Sequence, residues 1–516
     1  MGSVGRPTYR RHGRRINERL GAKLVEKTAD LIADEECLDC GYEPELQRTL
    51  GSFQIFAISF AFISVAVGIF ATYDSVLTTA GPVGIWLWIF AAVGQTLVAL
   101  VVAQFAARIA LSGSSYQWAS RLASPKIGWL FGWLTFWYLA IAVVALDNAL
   151  ASQALMPLMG MPENEHTARL LTVAILVIQA ILVIASTRLL GLITSSAVGI
   201  ELGIVVVLMI ALTAVVLLTG SGSLDNLTSR GVTAADPNYF AIGGGLMAGM
   251  IMGLTTLVGF DSAANLAEEA KDPFRSVPRA IVASVVAAGV LGLLFLIALT
   301  VAIKDIPAVT SSGSPVAAII NSQLGPVAER ILLALLAFAM FGAGMVVMAA
   351  CARQVFAMAR DARFPLHALM RKVNPRTQTP VAATILILAV GVVLMFALPG
   401  EALLQLIIGS TILPALIYGA IVILYLAVRK RLEHKQGGFS LGRFEVPIAV
   451  AALIWEAIVL VVLVTPGDAT VPTLIVAGLI LAGGVYFAYL RIAHPAVLET
   501  EPGADIFAAA APKEAV

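Results

Sequence analysis

Apolar and polar stretches alternate along this chain with a long period, and twelve apolar segments recur between short polar connections. Their limits are 53–79, 83–107, 127–157, 168–186, 189–218, 240–263, 280–303, 329–358, 380–398, 401–427, 447–465 and 471–492. About 20 apolar residues at 1.5 Å each cross the hydrocarbon layer of a bilayer, so the pattern predicts twelve transmembrane helices. Only Thr187 and Arg188 divide the fourth segment from the fifth. The flanks, 1–50 and 493–516, are polar tails around a 51–492 membrane domain. Ile16, Leu20, Leu24, Leu31 and Ile32 fall roughly on one helical face of the first tail, and the acidic, alanine-rich end from Ala496 reads as disordered. The stretch from Ser112 to Pro125 is too polar to span. With Tyr116, Trp118 and Leu122 it is expected to lie at the interface as a short helix. A loop from Ala308 to Gln323 is long enough to cover an entrance.

Two segments depart from a plain lipid-facing pattern. The sixth runs A-I-G-G-G-L-M-A-G-M-I-M-G-L-T-T-L-V-G-F from Ala241 to Phe260 and passes without a spacer into the charged stretch that begins at Asp261. Thr255, Thr256, Gly259 and Asp261 stand where Leu and Val would serve a simple span. This predicts a helix interrupted inside the membrane, which is tolerated only where the open backbone lines a cavity. The first segment carries an echo, I-S-V-A-V-G-I-F-A-T-Y-D-S from Ile63 to Ser75, with hydroxyl residues, a glycine and a late aspartate, Asp74. The two lie five helices apart, an odd number, so a second copy would be inverted relative to the first.

Composition and charge sharpen this picture. Of 516 residues, 59% are hydrophobic and 13% charged, about half the charged share of a soluble domain. The formal net charge of +1 offers no argument for nucleic acid. With both termini cytoplasmic, all but four of the 33 basic residues lie inside, the exceptions being Arg169, Arg230, Lys304 and Arg330. The positive-inside rule therefore predicts a multi-pass protein of the cell membrane in that orientation. Cys37, Cys40 and Cys351 cannot form a disulfide framework, and the Cys37-x-x-Cys40 spacing is incidental or half a zinc site. All five histidines sit in loops or near ends, and no H-E-x-x-H, Walker glycine loop or G-x-S-x-G occurs. No cofactor, metal or catalytic cluster is expected, and the chain is not expected to be an enzyme.

Ionisable residues within spans are the sharpest candidates, because each costs at least about 2.5–3.5 kcal/mol at a helix centre unless solvated or paired. Glu201 lies about 12 residues, roughly 18 Å, from the inner end of its segment, near mid-bilayer. It either titrates during a transport cycle, pairs with a cationic substrate or pairs structurally. Asp261 follows the expected break and suits gating, proton coupling, amine recognition or capping of the inner half-helix. Asp147, beside Asn148, either contacts an amine or faces an open vestibule. Glu456 falls outside the first ten helices and reads as a packing or dimer contact. The loop residues Glu268, Glu269, Lys271, Asp272, Arg275 and Arg279 either pair with Arg353, Arg360 or Asp361 to close the inner side or stay solvated.

Two motifs carry a family resemblance. Gly259, Asp261, Glu268, Glu269, Lys271, Pro273, Val277 and Pro278 match one pattern, and A-R-Q-V-F-A-M-A-R-D-A-R-F-P from Ala352 to Pro365 matches another in the correct order. From roughly Leu38 to Ile492 the chain resembles the amino acid-polyamine-organocation (APC) superfamily of permeases. The run G-Y-E-P-E-L-Q-R-T-L-G-S-F looks like its branch for gamma-aminobutyrate, choline and other amines. The resemblance implies an all-α fold with a 5+5 inverted-repeat core (about 53–218 and 240–427), helices one and six broken, and two further helices over 447–492. It implies a secondary transporter that moves an amino acid or related amine (gamma-aminobutyrate, choline or a polyamine) by alternating access. A proton is the expected partner ion, since A-F-A-M-F-G-A-G-M-V-V-M-A-A-C-A in the eighth segment has no Ser or Thr for sodium. An exchanger or a non-transporting receptor remains the alternative, as does monomer or homodimer in membrane lipid.

By the same resemblance the substrate carboxylate meets N–H groups around Ala66, Val67 and Gly68 and Thr255 or Thr256, and its amino group meets carbonyls near Val258. Ser64, Asn148, Gly259 and Asp261 complete the expected site, with Glu201 for proton coupling. Such permeases usually have two glycines flanking one residue where this chain has Ala66-Val67-Gly68. That leaves room for a substrate without an α-carboxylate. Gly68 and Gly259 also have a plainer reading as small residues that let helices pack closely.

Overall fold

The computed structural model describes residues 48–500, apart from 112, 163, 313, 399–401, 433–437, 467–468 and the side chains of 187 and 402–404. The segment Ile16–Ile32, with Cys37, Cys40, His12 and His434, lies outside them. Among the described residues eleven helices are long and apolar enough to cross a membrane, and Val381–Ala397 is a shorter apolar helix at the ninth expected position. In chain order we number the helices α1 (Ser52–Ile63 and Val65–Thr79), α2 (Leu87–Ala106), α3 (Pro125–Ala149), α4 (Glu165–Ala185), α5 (Thr187–Thr219) and α6 (Gly245–Gly249 and Ile251–Thr256, then Phe260–Glu269). They continue as α7 (Pro273–Val301), α8 (Pro326–Arg360), α9 (Val381–Ala397), α10 (Ala402–Val428), α11 (Glu445–Val464) and α12 (Thr470–Ala493).

Local chemistry sets the boundaries. Ser124 precedes α3 and its hydroxyl accepts from Ile127 N at 3.3 Å, with Pro125 as the first helical residue. Asn164 caps α4 by accepting from His166 N and Thr167 N. One extended residue, Ser186, separates α4 from α5 and caps the second, accepting from Leu189 N. That cap explains how so short a polar gap ends one helix and starts another. α5 ends at Gly220, whose φ of 64° is the left-handed C-terminal conformation glycine adopts freely.

Both expected breaks are present. α1 stops at Ser64, which takes φ 42° and ψ 74°, and restarts at Val65. A left-handed serine costs roughly 1–2 kcal/mol, so packing must hold it there. α6 stops at Thr256, passes through Leu257 (φ −85°, ψ 42°) and Gly259 (φ 78°), and resumes as a tighter helix from Phe260. The broken pair touches: Ser59 Oγ donates to Phe260 O at 2.8 Å, and a Cβ on Gly68 would lie 2.3 Å from Thr256 Cγ2.

At the end where α1 begins, the bundle is closed by main chain and ion pairs together. Leu50 N donates to Glu269 O and Lys271 N donates to Leu50 O, both at 2.9 Å, tying the start of α1 to the end of α6. Arg353 of α8 pairs with Glu269 at 2.8 Å and Arg360 with Glu268 at 3.2 Å, so the charged loop run is paired and not simply solvated. Removing one partner of a buried pair typically costs about 3–5 kcal/mol. Arg353→Gln is therefore expected to lower the melting temperature of detergent-purified protein, and adding Glu269→Gln should restore part of the loss. An unchanged melting temperature in the single variant would show the pair to be dispensable.

Three readings change on contact with the structure. The helix Ser114–Leu122 forms, but it is wedged inward and not laid on the interface: Trp118 stacks on Phe105, and Ser115 bonds Thr135. Tyr116 Oη donates to Asp361 Oδ2 and accepts from Arg363 Nη1. The 308–323 stretch is no open loop, since it contains Ile306–Thr310 and Pro315–Leu324 as short helices. Asp147 is fully buried and faces no vestibule, because Gln179 of α4 donates to its Oδ1 at 2.7 Å. Glu456 keeps its packing reading, since it is buried against Gly419 of α10.

Candidate functional site

A small cavity of about 80 Å³, with room for several waters, opens between the two breaks. Ser64, Val67 and Gly68 of α1 line it on one side and Thr255, Thr256 and Val258 of α6 on the other. These are six of the ten residues expected to bind substrate. The third wall is α3, where Tyr138 stands above a stripe of small residues, Ala142, Ala145 and Ala149. The fourth is α10, with Ile407, Ser410 and Thr411. Among the described residues no Asp, Glu, Lys, Arg or His lines it.

The polar groups facing this space fall into two kinds. Hydroxyls of Thr255, Ser410 and Thr411 each donate to a carbonyl of their own helix, which leaves their lone pairs free to accept. Thr256 Oγ1 and Tyr138 Oη are different: each residue is 3% exposed and neither hydroxyl has a hydrogen-bond partner among the described residues. Leaving a buried hydroxyl unsatisfied costs roughly 1–3 kcal/mol, which a ligand in the cavity would relieve. The two breaks add main-chain groups, with carbonyls at the ends of the first half-helices and N–H groups at the starts of the second.

Glu201 reaches the same break from behind. It is 2% exposed, and its Oε1 accepts from Ala66 N at 3.0 Å and from Ser64 Oγ at 3.2 Å. Ala66 therefore gives its N–H to a protein carboxylate, while Val67, the next residue of that first turn, lines the cavity. The positive end of the second half of α1 is thus shared between an acid of α5 and whatever fills the cavity.

Gly259 and Asp261 adjoin the cavity without lining it. Tyr418 of α10 links them: its hydroxyl accepts from Gly259 N at 3.1 Å and donates to Asp261 Oδ1 at 2.6 Å, and its ring stacks on Phe260. Asp261 is thereby bound to the break in α6. Asn148 turns away, its amide donating to Thr172 of α4 at 3.1 Å and to Met395 Sδ of α9.

A family model for amino acid permeases matches residues 50–487, which covers both breaks, the cavity walls and the closed end. The chain belongs to the amino acid permease family. It is a multi-pass membrane permease of the APC superfamily and not an enzyme. The permease is 27% identical to an uncharacterized amino-acid permease of Schizosaccharomyces pombe, over 88% of this chain and 87% of the relative. It is 27% identical to the amino-acid permease BAT1 of Arabidopsis thaliana over 83% and 87% of the two chains. To the GABA-specific permease of Saccharomyces cerevisiae it is 28% identical over 71% and 67%.

Reading the sequence alone missed the third and fourth walls of the permease cavity. The signal existed in α3, where Tyr138, Ala142, Ala145 and Ala149 recur at helical spacing, and in α10, where Ser410-Thr411 interrupts an apolar run. Tyr418 carried no such signal, since a tyrosine in a membrane helix is as often packing as function.

Proposed function

We propose that this permease is a secondary active transporter that moves an amino acid or related amine by alternating access in symport with a proton. The observation that carries the reading is the pairing of two broken helices around one cavity that has main-chain ends and hydroxyls but no charged side chain. Such a lining suits a small zwitterion, whose carboxylate meets N–H groups at Val67 and whose ammonium meets carbonyls near Ile63 and Val258. A polyamine would bring uncompensated charge, at a cost no lining residue offsets. The breaks lie five helices apart, which supports an inverted-repeat core with α11 and α12 outside it. The charge distribution supports cytoplasmic termini in the cell membrane. Relatives named as amino-acid and GABA permeases support the substrate class.

Proton coupling follows from the shared helix end. A substrate carboxylate at Val67 and the Glu201 carboxylate at Ala66 would lie roughly 6 Å apart, where an effective dielectric constant of about 20 gives a repulsion of roughly 3 kcal/mol. Protonating Glu201 removes that repulsion and leaves its carbonyl oxygen free to accept the Ala66 N–H. Substrate and proton therefore favour each other's binding, as symport requires.

The test is accumulation in proteoliposomes: purified protein should concentrate labelled substrate against its gradient when the outside is acid. Binding without accumulation would reject the carrier reading. Within the site, Thr256→Val removes one of the two unpartnered hydroxyls at nearly constant shape. Melting should be unchanged or slightly higher while substrate affinity falls roughly three- to tenfold, the worth of one hydrogen bond. Unaltered affinity would remove Thr256 from the binding set.

A further inference from the structure

A second, larger hollow of about 690 Å³ lies at the closed end, among the starts of α1, α5 and α9. Its cations are Arg188, the second residue of α5, and Arg376, in the loop that enters α9. Both are exposed, and neither guanidinium has a hydrogen-bond or ion-pair partner among the described residues. Thr49 and Thr377 add hydroxyls, and the first turn of the 33-residue α5 begins at the same wall, next to Ser186. Among the described residues the single acid on the lining, Glu269, is already held by Arg353. The hollow is therefore positive, rich in donors and short of acceptors.

We propose that it is a binding site for a phosphate group, supplied by the headgroup of an anionic membrane lipid. Two guanidinium forks match the oxygens of a phosphate, and a helix start adds N–H groups and dipole. Three spanning helices begin around the hollow, which sets it at the depth of lipid headgroups, and basic pockets between helices on the cytoplasmic side are where anionic headgroups dock. Leu50 is both a wall of the hollow and half of the main-chain tie to Glu269 and Lys271. A bound headgroup would brace that tie, so anionic lipid favours the form closed at this end.

The experiment is thermal melting of the full-length permease in detergent with added phosphatidylglycerol, phosphatidylcholine or inorganic phosphate, for the wild type and for Arg188→Gln/Arg376→Gln. Both arginines are exposed, so the variant should melt like the wild type without additions. Phosphatidylglycerol is expected to raise the wild-type melting temperature by a few degrees and to leave the variant unmoved, with phosphatidylcholine inert on both. A rise with inorganic phosphate and none with the lipid would keep the phosphate site and reject the lipid source. Equal responses to both lipids, an undiminished response in the variant, or no response to either phosphate compound would overturn the proposal.

Discussion

Replacing Glu201 with glutamine is expected to abolish accumulation driven by a pH gradient while sparing exchange of substrate across the same proteoliposomes. Glutamine keeps the shape and an oxygen that can accept from Ala66 N and Ser64 Oγ, so the break in α1 should survive. What it removes is the ability to gain and lose a proton beside the substrate carboxylate. The lost coupling, roughly 3 kcal/mol by the Coulomb estimate, corresponds to about a hundredfold in linked affinity. In the variant, uptake should become flat between about pH 5 and 8, because among the described residues the cavity walls carry no carboxylate or imidazole to titrate over that range. Wild-type pH dependence and full uphill uptake in Glu201→Gln would exclude this residue from coupling.

A comparably large effect is expected from Gly259→Ala. The glycine has φ 78°, and a Cβ there would fall 1.8 Å from Cδ1 of Phe62, on the first half of α1. Any side chain must both adopt the left-handed conformation, at about 1–2 kcal/mol, and push one broken helix off the other. Overpacking of that kind costs a further 1–3 kcal/mol or so, and the strain falls on the residues that shape the cavity. Substrate binding by ligand-induced thermal stabilisation should drop at least about tenfold, since each 1.4 kcal/mol is a factor of ten. Protein that still elutes as a monodisperse peak but binds normally would move the site away from the α6 break.

How much of this was legible depends on which physical constraint each residue answers to. The spans were plain because twenty apolar residues in a row have one economical solution in lipid, and even the Ser186 boundary needed only a cap. The breaks were legible because Thr255, Thr256 and Gly259 are poor choices for a continuous helix in hydrocarbon. What could not be read was direction. Whether Asn148 points at a cavity or at Thr172 depends on the rotation of α3, which a helix apolar on nearly every side does not disclose. The same blindness hid Tyr138 and the α10 hydroxyls, and it put the helix Ser114–Leu122 at the surface when Trp118 and Tyr116 are buried against protein. Glu201 was conspicuous as a mid-membrane acid, yet its bond to Ala66 N, the group resemblance had reserved for substrate, emerges only from the packing of α5 on α1.

The junction of Leu50 with Glu269 and Lys271 is made of peptide groups, so no alanine scan can erase it. Side-chain replacement tunes how strongly α8 grips this junction through Arg353 and Arg360, but the start of α1 and the end of α6 stay laced to each other throughout. A pivot that swings the first half of α1 by itself would have to unpick both strands of that lacing. The cheaper motion carries the two half-helices as one lever, which must slip both the ion pairs to α8 and the hold of Tyr418 on Asp261.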